Sequence, residues 1–324
     1  MDDGSNRRVL SIQSHVVRGH VGNKAAVFPL QLLGFDVDFI NSVQFSNHTA
    51  YSSFRGERLD GPSLTSLVDG LVANDLVAGE YSHILTGYIG SLSFLRAVAG
   101  VVSTLRAGNP ELVYVCDPVL GDAGKLYVPH ELVAAYKDEI IPLANTVTPN
   151  AFEAEQLTGL RVTSVAEAAA ACDALHGLGP STVVVTSLEC ASHPGQLLLV
   201  GSTRLPQDDG CPPRFVVRFP KRGGYWCAAE PPRLRVFLTL PRVRTGTGDL
   251  LAALLLARAA ERPRSLAAAA EAALASVQGV LARTASFASA PGARLFPAGC
   301  ELRLIQSAGD ITSPTIVFRA EALP

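Results

Sequence analysis

Residues 83–117 read HILTGYIG SLSFLRAVAG VVSTLRAGNP ELVYVCD. A short apolar run at 83–87 is followed by a segment of helical period at 91–106 and a second, near-continuous apolar run at 112–117. Two such runs joined by a helix form a strand–helix–strand unit, and a chain made of these units builds a parallel sheet covered by helices. Further strands are expected at 9–13, 35–43, 145–148, 182–186 and 196–200. The intervening helices are expected at 23–33, 63–77, 129–139, 151–157 and 165–178, with two more at 248–261 and 265–288. The predicted class is α/β, a three-layer sandwich with helices on both faces of a largely parallel central sheet.

The 324 residues exceed the usual length of one domain, but a large α/β sheet absorbs that length, so a single domain over 1–324 is expected. Hydrophobic residues make up 48% of the chain against 17% charged, rich enough for a sizeable core. The formal net charge of −2 lacks the basic excess that binds a nucleic-acid backbone, so nucleic acid is not an expected partner. The six cysteines form no CxxC pair, which argues against structural zinc and fits a reducing compartment. A polar start without an apolar leader, and no apolar run of membrane-spanning length, predict a cytoplasmic protein with no membrane partner. Residues 206–245 break the pattern with seven prolines and seven arginines, and read as irregular chain or a loose ribbon.

In an open parallel sheet the ligand site lies beyond the carboxyl ends of the strands. Ser14, Thr49, Asp117, Asp122, Asn150, Thr186 and Ser187 all fall just after predicted strands. The sharpest motif is Gly246-Thr247-Gly248-Asp249, a glycine turn opening directly into an apolar helix. Unpaired N–H groups and the macrodipole at such a start favour a phosphoryl group, and the glycines let it approach the backbone. Asp249 there suits a proton acceptor for an attacking hydroxyl, since phosphoryl transfer asks more for orientation than for a strong base. An Asp N-cap after a glycine turn reads the same four residues equally well.

Asp117 and Asp122, in the run 116–122, place two carboxylates at a strand exit, a pattern that suits Mg²⁺ held with substrate phosphates or an ordinary turn. Asn150 and Glu153 have the spacing of a capping box, or else turn an amide and a carboxylate toward a cation and phosphates. No GxxxxGK[ST] loop is present, and the near miss at 121–126 lacks its spacing.

Taken together, residues 11–16, 41–49, 85–88, 117–122, 127–129, 148–153 and 246–249 resemble, in order and spacing, the pyridoxal (vitamin B6) kinase family. The resemblance implies a ribokinase-like fold, a homodimer, and transfer of phosphate from ATP to the 5′-hydroxymethyl group of pyridoxal, pyridoxine or pyridoxamine. It implies Asp249 as catalytic base and Ser14, Thr49, Tyr88, Tyr127, Gly246, Thr247 and Gly248 on the substrate side. It implies Asp117, Asn150, Thr186, Ser187 and Thr247 at ATP and Asp122 at Mg²⁺. Asp117, Thr148, Glu153 and Thr186 would then surround a monovalent cation, K⁺ or Na⁺. One stretch departs from the family: residues 222–245 replace its short apolar approach to the glycine turn. No nucleotide contact is carried onto that stretch, and the alternative reading it raises is an impaired isoform that binds vitamer or a partner subunit without turnover.

Overall fold

Val9 and Leu10 are neighbours on one strand and both are buried. Successive strand residues point to opposite faces, so a strand buried at both positions must be covered on both sides. The pairs Ile84 and Leu85, Tyr114 and Val115, Val183 and Val184, and Leu198 and Leu199 repeat the observation along the sheet. A computed structural model describes residues 7–220, 246–290, 292 and 297–323.

The strands β1 (Arg8–Val16), β2 (Asp36–Phe45), β3 (Gly56–Arg58), β4 (His83–Thr86) and β5 (Val113–Cys116) form one half of the sheet. The small hairpin β6 (Gly121–Asp122) and β7 (Lys125–Leu126) stands apart from it. β8 (Thr146–Val147), β9 (Thr182–Leu188), β10 (Gln196–Thr203), β11 (Arg214–Pro220) and β12 (Ala320–Ala322) complete ten strands in the order β12-β11-β10-β9-β8-β5-β4-β1-β2-β3. From β2 to β9 the pairings through β1, β4, β5 and β8 are parallel, while β3, β10, β11 and β12 add antiparallel edges.

One face carries α2 (Gly61–Ala73), α3 (Leu92–Gly108), α4 (Glu131–Ala135), α5 (Ala151–Thr158) and α6 (Val165–Leu178), packed on Leu10, Ile84, Tyr114, Val183 and Leu198. The other carries α1 (Asn23–Leu32), α7 (Thr247–Glu261), α8 (Leu266–Ala288) and α9 (Ala308–Thr312), packed on Val9, Leu85, Val115, Val184 and Leu199. Each fully buried Leu or Val of these faces contributes roughly 1.5–3 kcal/mol by leaving water. The three-layer α/β reading therefore holds, and the carboxyl ends of β1, β4, β5, β8 and β9 share one edge.

Three local expectations are corrected. Residues 206–245 were expected to be irregular chain or a loose ribbon, yet Arg214–Pro220 is a regular strand of the main sheet, paired with both β10 and β12. Its arginines find acids on neighbouring elements, Arg214 with Asp173 of α6 and Arg218 with Glu321 of β12. α2 starts before the expected 63 because Asp60 caps it, accepting from Ser63 N–H at 3.0 Å. The helix expected at 129–139 is α4 followed by a π-helical turn, Tyr136–Ile140. Residues 221–245 lie outside the described residues, and with them the whole of the segment 222–245 that departs from the family. Among the described residues no helix is long and apolar enough to cross a membrane.

Candidate active site

Gly246 has φ 85°, a left-handed conformation that glycine adopts without the clash a side chain would bring. A Cβ on it would stand 2.1 Å from the carbonyl oxygen of His20, so only glycine lets the turn press against the loop between β1 and α1. α7 begins at the next residue, Thr247, and around Gly248 the nearest heavy atom to a built Cβ is Asp117 Oδ2 at 3.6 Å. The helix start thus lies open toward the carboxylate at the end of β5.

Asp249 is half-buried, and burial pushes its pKa up, opposed by the hydrogen bond that its Oδ2 accepts from Gly22 N–H at 2.8 Å. Gly22 in turn lies on Ser14, whose carbonyl oxygen would be 1.9 Å and whose Oγ 2.4 Å from a Gly22 Cβ. Ser14 follows a register shift between Gln13 and Ser14 in β1. The residue expected to accept a proton and the first of those expected at the substrate are therefore linked through one glycine.

Asp117 is buried, and its pKa is pushed up to about 8. Burial is the first cause and the charge of Asp249 the second, against which the hydrogen bond from Thr148 Oγ1 at 3.1 Å works. Glu153 is also buried and raised, by burial and then by the charge of Asp117. Its oxygens accept the N–H groups of Leu120, Gly121 and Asn150 at 3.0, 3.3 and 2.8 Å. Asn150 caps α5 through Glu153 N–H and donates to Gly121 carbonyl at 2.7 Å. The capping-box reading of Asn150 and Glu153 is thus present, and it also ties α5 to the β6–β7 hairpin.

The near miss for a phosphate loop is that hairpin, turned through Ala123 and Gly124 at φ 51° and 79°. Asp122 is exposed on it, its Oδ1 accepting from Ala123 N–H at 2.8 Å. Tyr127 follows it, half exposed, its pKa pushed up to about 12 by partial burial and then by the charges of Asp122 and Glu153. Thr186 and Ser187 are half-buried at the end of β9, where Thr186 N–H donates to Pro149 carbonyl at 2.9 Å. Tyr88 packs on Val16, Val21, Val43 and Phe45, and its carbonyl accepts from Ser42 Oγ at 2.6 Å. Thr49 is exposed on the loop beyond β2, beside the buried His48.

Ser14, Asp117, Thr148 and residues 246–249 thus converge, while Thr49, Asp122 and Tyr127 are exposed on neighbouring loops. Among the described residues no three His, Cys, Asp or Glu side chains form a ready-made metal cage. Buried, raised carboxyls with oxygen neighbours fit a hard cation that takes the rest of its ligands from phosphates or water. Gly22, His20 and Glu301 belong to this neighbourhood and were not singled out in the sequence. For Gly22 a signal existed, since Gly19 and Gly22 punctuate a strand-to-helix junction much as 246–248 do.

A family model described as phosphomethylpyrimidine kinase matches residues 76–203. A pyridoxal kinase of Arabidopsis thaliana is 49% identical over 97% of this chain and 94% of its own length. A pyridoxal kinase of Homo sapiens is 44% identical over 98% of each chain. The structure of pyridoxal kinase from Leishmania donovani in complex with ADP and pyridoxamine superposes with a TM-score of 0.84 at 36% identity, covering 98% of this chain and 100% of that one. The three-layer sheet is accordingly the ribokinase-like fold of those enzymes. With such identity along almost its whole length, this chain belongs to the pyridoxal kinase family.

Proposed function

We propose that the chain transfers the γ-phosphoryl group of ATP to the 5′-hydroxymethyl oxygen of pyridoxal, pyridoxine or pyridoxamine. The observation that carries this reading is the glycine turn at the start of α7 with Asp249 held by Gly22 N–H beside Ser14. The vitamer's oxygen forms the new bond to phosphorus as the bond from the β–γ bridging oxygen breaks and ADP leaves. Asp249 accepts the hydroxyl proton, and its burial moves a weak base toward working pH. The N–H groups at the start of α7 face the transferring group and stabilise its charge.

Ser14, Thr49, Tyr88 and Tyr127 border the vitamer. Asp117, Asn150, Thr186, Ser187 and Thr247 border the nucleotide, with Asn150 acting largely through the frame because its amide is bonded within the protein. Asp122, together with phosphate oxygens, would hold Mg²⁺, which would supply charge neutralisation when bound. Asp117, Thr148, Glu153 and Thr186 would hold K⁺ or Na⁺, a positive neighbour from which the two raised carboxyls of Asp117 and Glu153 would gain. The chain acts as a single kinase domain, as a homodimer and in the cytoplasm. Nothing in the described residues or the relatives favours the impaired alternative.

The test is incubation with Mg-ATP and each vitamer, with the products weighed by mass spectrometry. Equal amounts of ADP and a 5′-phosphate ester are expected, and ADP without an ester would refute the assignment.

A further inference from the structure

Glu301 lies just after the 3-10 turn Ala298–Cys300, far in sequence from every motif described above. Its Oε2 accepts His20 N–H at 3.1 Å and its Oε1 accepts Tyr51 Oη–H at 2.9 Å. His48 Nε2 stands 3.3 Å from the same Oε1. Since His48 Nδ1 accepts from Ala50 N–H at 3.3 Å, the ring hydrogen of its neutral form is on Nε2 and directed at Glu301. A Cβ on Gly19 would meet both carboxylate oxygens at 2.5 Å, so glycine there leaves the carboxylate room to sit on the loop. The side chains of His48 and Glu301 are only 5% and 15% exposed, which makes these contacts strong and their loss costly.

One carboxylate thereby joins two loops. The first runs beyond β2 and carries His48, Thr49 and Tyr51. The second, residues 19–22, supports the Gly246 turn through His20 carbonyl and holds Asp249 through Gly22 N–H. Leu302, the next residue after Glu301, reaches to 3.2 Å from the position of a Gly246 Cβ. Burial alone would raise the Glu301 pKa, but the hydrogen bond and charge of His48, with Tyr51 and His20 N–H, bring it below its ordinary value. It is therefore kept ionised as an acceptor.

We infer that Glu301 is a positioning residue that locks the Thr49 loop to the floor of the phosphoryl site, so that vitamer capture depends on a carboxylate outside the binding motifs. The inference rests on the phosphorylation reading. Its effect falls on the vitamer rather than the nucleotide, because the loop held by His48 and Tyr51 lies on the Thr49 side while Asp117, Asn150 and Thr186 are held by other contacts.

The experiment measures kcat, KM for pyridoxal, KM for ATP and melting temperature in the full chain and in Glu301→Gln, Glu301→Asp, Tyr51→Phe and the Glu301→Gln/Tyr51→Phe double variant. Glu301→Gln is expected to raise KM for pyridoxal about tenfold, the scale of a weakened charge-assisted bond set, with KM for ATP little changed. Tyr51→Phe should give a smaller rise, the double variant no more than Glu301→Gln alone, and Glu301→Asp a partial recovery. An unmoved pyridoxal KM, or both KM values rising together with a lowered melting temperature, would overturn the positioning role. If Glu301→Gln does not fold, Tyr51→Phe decides by the same split. Absence of pyridoxal phosphorylation in the unaltered chain would sink the functional reading itself, whereas a normal parent with an unaffected variant would sink only the role of Glu301.

Discussion

Gly22 N–H and Asp249 Oδ2 form a 2.8 Å hydrogen bond across 227 residues of sequence. The bond joins the loop after the first strand to the first turn of α7, and orients the Asp249 carboxylate. Orientation matters because a misplacement of about 1 Å in a reacting group can cost about 10²-fold in rate.

Gly22→Ala tests that relationship. Gly22 has φ 53°, and a Cβ there would run into Ser14 carbonyl at 1.9 Å, so the loop must shift and carry its N–H away from Asp249. We expect kcat to fall about 10²-fold, together with a lower melting temperature. Steady-state kinetics and thermal unfolding on one preparation check both, and full kcat would show that Asp249 does not need Gly22.

Asp122→Ala should raise the Mg²⁺ concentration needed for half-maximal rate. Asp122 is exposed on the β6–β7 hairpin, where it can meet a cation that keeps phosphate and water ligands. A Mg²⁺ titration that superposes on that of the parent protein would place the ion elsewhere.

Cation binding should be visible in stability without any turnover. Asp117 is buried beside the charge of Asp249 with its pKa pushed up to about 8, so a bound K⁺ or Mg²⁺ relieves a real electrostatic cost. Removing cations with a chelating resin and restoring K⁺ should raise the melting temperature of the parent. Asp117→Asn should start at least as stable and respond less, and an equal response in both would remove Asp117 from the cation site.

The acid limb of stability should carry the signature of His83. This residue of β4 packs edge-on against Phe35, and burial, then the charge of Arg7, pushes its pKa down to about 4. The unfolded chain, with a His pKa near 6.5, binds the proton more readily. His83 therefore contributes stability that is full above about 6.5 and lost as pH falls toward 4. Urea unfolding between pH 7 and 4 should be shallower in His83→Gln, and parallel curves would refute the assignment.

Much of the fold was legible because its signal is local. The apolar runs at β4, β5 and β9 and the period of α3 and α6 are set by burial on both faces of one sheet, and each announces itself within a few residues. Arg214–Pro220 was not legible, since its two arginines and the surrounding prolines imitate a surface segment until Asp173 and Glu321 are brought alongside. The same division holds at the site. Gly246 to Asp249 and the capping pair Asn150 and Glu153 are contiguous patterns, whereas Gly22 and Glu301 act through partners more than two hundred residues away. Such a role has no sequence spacing to betray it.

The central claim is that Asp249 takes the proton from the vitamer's hydroxyl, and Asp249→Asn tests it most directly. The measurement pairs kcat in a coupled ADP-release assay, run with pyridoxal, Mg-ATP and K⁺, with the dissociation constant for pyridoxal by titration. The account predicts a fall in kcat of about 10²–10⁴-fold with pyridoxal affinity largely retained, because only proton acceptance and orientation are lost. Turnover within a few-fold of the parent protein would contradict it.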